Sequence, residues 1–151
     1  MNKAFVREPD DDGRGFCPHC GTLGIPVDSG PLDTHVLPAS RSKLRDAVWF
    51  CGFPRCDVAY FNYYDAVVKT AELNGPVYPK DLNASMCACF GFKYDDVEAD
   101  VRDGAPSRIR KLLAKSRSKA ARCPSLAPDG RCCMGAVQEL YLKLRRQADG
   151  E

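Results

Sequence analysis

Cys17-Pro18-His19-Cys20-Gly21, followed thirty residues later by Cys51-Gly52-Phe53-Pro54-Arg55-Cys56, is the part of the sequence on which the fold turns. Two residues between Cys17 and Cys20 let both sulfurs face one point, and Gly21 permits a tight reversal of the backbone. The second pair brackets a Gly/Pro turn and supplies two more sulfurs. Four thiolates suit a tetrahedral zinc ion at about 2.3 Å per bond, and a closed all-sulfur shell is structural rather than catalytic. Around these pairs Trp49, Phe50, Val58, Tyr60, Phe61, Val67 and Val68 form short runs of β-branched and aromatic residues, the mark of strands. The spacing predicts a small zinc-ribbon-like β module over residues 15–75, held by Cys17, Cys20, Cys51 and Cys56. His19 lies between two ligands and is read as a solvated knuckle residue. His35 is read as a loop residue without a role.

Composition supports a metal reading. The 151 residues include nine cysteines and two histidines. An odd cysteine count, in close pairs and without an export signal, points to metal ligation in a reducing compartment rather than to disulfides. Twenty-two basic and 20 acidic residues give a net charge of +2, too near neutral to make nucleic acid the expected partner. The longest apolar run, 47–53, is far shorter than a membrane span, so membrane insertion is not expected. The first 14 residues, rich in Asp and Arg, read as a loose lead-in and not as a secretory signal, and the expected location is cytoplasmic.

Beyond the Gly/Pro-rich segment 74–81 the periodicity becomes helical. Val97 and Val101 stand i, i+4 in an acidic stretch ending at Asp103-Gly104. Pro106 suits the first turn of a helix carrying Ile109, Leu112 and Leu113 on one face. Met134, Val137, Leu140, Tyr141 and Leu144 form the apolar stripe of a last helix. The expected fold class is therefore α+β: the β module, then a compact helical module over 76–148. A basic run, Arg108, Arg110, Lys111, Lys115, Arg117, Lys119 and Arg122, reads first as a solvated helix face.

The helical half carries its own sulfurs. Met86-Cys87-Ala88-Cys89-Phe90-Gly91 places two thiolates in one loop, able to hold one iron of a two-iron, two-sulfide unit. Cys123 with either Cys132 or Cys133 completes four ligands. Cys132 and Cys133 are adjacent, so one of them is spare, and the spacing leaves open which. A second zinc ion at these cysteines is the alternative, which would make the chain a double-zinc adaptor touching nucleic acid or protein through the basic helix.

Taken together, these motifs resemble the N-terminal metal domain of the CopZ family of copper chaperones, which joins a zinc-binding β module to a [2Fe–2S] module similar to bacterioferritin-associated ferredoxin. The likeness is carried by Cys17-Pro-His-Cys20, by Cys51 to Cys56 with Val58-Ala-Tyr-Phe-Asn62, by Cys87-Ala-Cys89, and by Cys123 through Gly130-Arg-Cys-Cys133. The resemblance implies zinc at Cys17, Cys20, Cys51 and Cys56, and a [2Fe–2S] cluster at Cys87, Cys89, Cys123 and Cys133, with Cys132 as substitute. It further implies a non-enzymatic carrier of single electrons that serves copper or iron handling by reducing metal before transfer. Its expected partners are a redox protein and a copper-carrying chaperone domain or copper transporter. The family's copper-carrying Met-x-Cys-x-x-Cys loop has no counterpart here, since Met86-Cys87-Ala-Cys89 is spaced differently.

Overall fold

The computed structural model describes residues 14–87, 89–118 and 121–150, without the side chains of Cys123 and Pro124. The expected lead-in therefore lies, Arg14 apart, outside the described residues. Four short strands, β1 (Ile25–Val27), β2 (Val48–Phe50), β3 (Val58–Asn62) and β4 (Val67–Lys69), form one antiparallel sheet in sequence order. Two short helices, α1 (Ser29–His35) and α2 (Pro38–Arg41), lie between β1 and β2. The helical half holds α3 (Tyr94–Asp103), α4 (Ser107–Ser116), the single turn α5 (Cys123–Leu126) and α6 (Met134–Asp149).

Both faces of the sheet are covered, which is why every residue of β3 is buried. Phe50, Ala59, Tyr60 and Val68 pack with Leu32 and Val36 of the α1 region, and Trp49, Val58 and Phe61 pack with the cysteines of the first site. Strict alternation would not put Ala59 and Tyr60 on one side; a register shift between Val58 and Tyr60 does so. Asn62, buried at the end of β3, accepts the Tyr64 and Ala66 N–H groups and so shapes the turn into β4. The chain leaves this core after Val77, and Tyr78 packs against the helical core instead.

Val97, Ile109, Leu112, Val137, Leu140 and Tyr141 make that second core, each helix contributing its periodic apolar face. Gly104, at φ 76°, ends α3 in the left-handed conformation that favours glycine. Its successor α4 begins after Pro106, a residue with no capping side chain. The cap comes from the neighbouring helix. Asp100, fully buried, accepts the backbone N–H groups of Arg108 at 3.2 Å and Ile109 at 2.9 Å, and pairs with the Arg108 guanidinium at 3.0 Å. One carboxylate thus fixes the α3–α4 corner and is itself fully bonded.

The structure corrects the sequence reading around His35. His35, read as a loop residue, is the last residue of α1, in a stretch that also holds β1 and α2. The basic helix expected from Pro106 to Arg122 is α4, which stops at Ser116.

Glu72 ties this corrected region to the sheet. It accepts hydrogen bonds from the Ser40 hydroxyl of α2 at 2.8 Å and the Lys69 backbone N–H at 2.8 Å, and it pairs with Lys43. The Lys43 bond first, then the Lys69 N–H, hold its carboxyl down at about 2, well below the ordinary 4.5. Because the folded value is depressed, this stabilisation is present above the unfolded pKa and is lost as pH falls through the folded one. Glu72→Gln should cost about 1–2 kcal/mol near neutral pH. The gap between variant and parent should narrow steadily below pH 4.5, as read by denaturant titrations at several pH values.

Candidate metal centres

The first site is built by two loops that meet over the Trp49–Phe61 stack. In the first loop the Gly21 N–H bonds the Cys17 carbonyl at 2.8 Å, and Gly21 takes φ 78°. In the second the Cys51 N–H bonds the Ala59 carbonyl at 2.8 Å, anchoring that cysteine to the start of β3. The four sulfurs all fall within 4.8 Å of one another, with Cys17 to Cys56 at 3.8 Å and Cys20 to Cys51 at 3.6 Å. Bonds of about 2.3 Å in a tetrahedron place sulfurs about 3.8 Å apart, so the donor set fits zinc. Cys17, Cys51 and Cys56 are buried and Cys20 is exposed. His19 stands outside the set and faces Asp57 at 3.7 Å.

Three of these thiols depart from ordinary acidity, in opposite directions. Burial pushes Cys51 up to about 12, and burial likewise raises Cys56. At Cys20 burial acts in the same direction but is outweighed by hydrogen bonds with Thr22, Cys51 and Cys17, and the thiol falls to about 6. The Lys80 ammonium bonds the carbonyls of Phe53 at 2.7 Å and Cys56 at 3.0 Å, closing the second loop and bringing a positive charge to the buried sulfurs. Sequence reasoning missed Lys80 because its partners are main-chain oxygens.

The second group of cysteines uses the same turn. In Cys87-Ala-Cys89-Phe-Gly91 the Gly91 N–H bonds the Cys87 carbonyl at 2.8 Å and Gly91 takes φ 70°, as Gly21 does opposite Cys17. An antiparallel bridge closes each loop, Phe16 to Leu23 in one and Cys87 to Phe92 in the other. The Cys87 thiol is lowered to about 6, first by its hydrogen bond with Cys133, against the opposing effect of burial, and then by the Phe90 and Cys89 backbone and the Cys89 thiol. Cys89 accepts the Arg122 N–H at 3.2 Å. Cys133 is buried at the start of α6, whereas its neighbour Cys132 is exposed. Among the predicted ligands of this site the structure thus brings together Cys87, Cys89 and Cys133. Cys123 directly follows Arg122, and its side chain lies outside the described residues.

Polar contacts join α1 and β3 to the segment after Cys123. The Thr34 hydroxyl is within hydrogen-bond distance of the Ser125 carbonyl at 2.7 Å, and His35 Nε2 donates to the Leu126 carbonyl at 2.6 Å. The Tyr60 hydroxyl, from the middle of the sheet, donates to the Pro128 carbonyl. The segment after Cys123 is thereby fastened to α1 and β3 of the zinc module.

Comparison with known proteins agrees with the first site. Residues 14–74 match the CopZ family model described as a zinc binding domain. The copper chaperone CopZ of Archaeoglobus fulgidus is 28% identical over 127 residues, 82% of this chain and 60% of that protein. The chain therefore spans about 60% of the length of the curated relative it matches. The X-ray structure of the Archaeoglobus fulgidus CopZ N-terminal domain superposes with a TM-score of 0.70 at 24% identity, covering 83% of this chain and 97% of that one. The chain thus carries a CopZ-type zinc binding domain with a four-cysteine site, on the fold of that N-terminal domain.

Backbone approach decides how tightly the first loop seats. A Cβ on Gly24 would lie 2.5 Å from Trp49 Cβ and 2.6 Å from Phe61 Cζ. Gly24→Ala should therefore destabilise the zinc-loaded chain by about 1–3 kcal/mol. Gly75→Ala, where a Cβ meets nothing within 4 Å, should be nearly neutral. Denaturant midpoints of the two variants check this.

Proposed function

We propose that this chain is a metal-handling electron carrier in which zinc at Cys17, Cys20, Cys51 and Cys56 is structural and Cys87, Cys89, Cys123 and Cys133 hold a [2Fe–2S] cluster. The observation that carries the reading is the contrast between the two sites. The first is a closed tetrad of sulfurs at tetrahedral spacing. The second stands apart from that tetrad: the Cys87 thiol meets Cys133 and Cys89, and the Arg122 N–H bonds Cys89.

A [2Fe–2S] cluster supplies a one-electron couple when bound. The chain's own groups tune the site for it. The Arg122 N–H at Cys89 and the backbone donors at Cys87 stabilise thiolate charge, while the burial of Cys87 and Cys133 keeps water from their sulfurs. Cys133 is the fourth ligand in this reading because it meets Cys87; the exposed Cys132 is the spare thiol.

The name of the Archaeoglobus relative supplies the biological direction. Electrons delivered at the Cys87–Cys89 loop would reduce copper before its transfer to a chaperone domain or transporter, with a redox protein as donor. Iron is the other metal such an electron would serve. In this reading the chain is not an enzyme, resides in the cytoplasm, and comprises the zinc module 15–75 and the cluster module 76–148.

Anaerobically purified protein should contain about two irons, two sulfides and one zinc per chain, with visible absorption that bleaches on reduction. Cys133→Ser should lose most of the iron while keeping zinc, and Cys132→Ser should keep both. About two zincs and no iron would overturn the reading in favour of a double-zinc adaptor.

A further inference from the structure

The loop that presents Cys89 continues as one wall of a groove. Phe90, Gly91 and Phe92 form that wall, and α4 forms the other with Lys111, Leu112 and Lys115, enclosing about 200 Å³. Lys115 sits 6.0 Å above the Phe90 ring, so its charge lies beside the residue that follows Cys89.

Charge on this wall is one-sided. The helix sequence Ser-Arg-Ile-Arg-Lys-Leu-Leu-Ala-Lys-Ser contains no acid. Arg108 is already held by Asp100 and by Asp103 at 2.7 Å. Lys111 and Lys115 are exposed, and among the described residues no carboxylate pairs with either. Two ammonium groups with no carboxylate partner among the described residues, one of them over a half-buried aromatic ring, form a surface that gains from meeting carboxylates.

We propose that the groove between Phe90 and α4 is the docking face for an acidic patch on a partner protein. The assignment of this face to electron exchange rests on the cluster reading above; the docking itself does not. Opposite charge on α4 draws the partner to a groove whose other wall continues directly from the Cys89 loop, which keeps the path from that sulfur to the partner short. A protein is favoured over nucleic acid because Asp96 also lines the groove and would repel a phosphate backbone, while a protein surface can match both signs.

The test uses the full chain and a fluorescein-labelled deca-glutamate peptide, read by anisotropy at about 20 mM and about 200 mM salt. Binding should be seen at low salt and weaken at high salt. The variant K111E/K115E should weaken it about tenfold, while R45E/R145E, with the same change in net charge outside the groove, should leave it nearly unchanged. No binding to the parent chain, or equal loss in both variants, would overturn the proposal. So would tighter binding of a 20-nucleotide single strand that K111E/K115E abolishes. Iron and sulfide are measured on the same samples: peptide binding without iron would overturn the electron-transfer reading and leave the docking face standing.

Discussion

Four sulfurs from two loops converge on one point, and the β half is arranged around that convergence. Sulfurs 3.6–3.8 Å apart behind a stacked Trp49–Phe61 pair are spaced for a shared ion rather than for one another. The strands are only three to five residues long, too short for a sheet of this size to rely on ladder hydrogen bonds. Metal ligation would fix where β2 ends and β3 begins, because Cys51 follows the one and Cys56 precedes the other. Tyr60 and α1 pack in the core beside those ends. The loop after Cys123 is fastened to them through the Ser125, Leu126 and Pro128 carbonyls.

The two cysteine loops repeat one local solution. Each closes with a glycine N–H on the carbonyl of the first cysteine, four residues back, and each glycine takes positive φ. The difference in what the loops can hold comes from their surroundings. The first is met by a second loop bearing two cysteines. The second is met by the Arg122 main chain and by Cys133 at the start of α6. The neighbours brought to each loop, more than the loop's own shape, set what it can hold.

Much of this was legible in the residues. β2, β3 and β4 follow the aromatic and β-branched runs, and α3, α4 and α6 follow apolar spacing, because in both cases burial enforces the period. The zinc tetrad was legible because sulfur spacing is itself geometry. What escaped depends on distant partners. β1 and α1 contain Pro26, Gly30 and Pro31, which read locally as turn; pairing with β2 and burial of Leu32 override that preference. The cap of α4 comes from Asp100 on another helix, so no motif at its own start announces it. Thr34, His35 and Lys80 bond main-chain carbonyls, and a carbonyl leaves no trace in sequence.

The zinc tetrad holds the segment after Cys123 in place through the contacts of α1 and Tyr60. Amide hydrogen exchange of the full chain, with zinc bound and after its removal by chelation, tests this directly. Removal should lower protection in β2 and β3 and, together with them, at the amides of Leu126 and Gly130, whose hydrogen bonds lie in the fastened segment. Loss of protection in the sheet with those two amides unchanged would contradict the account.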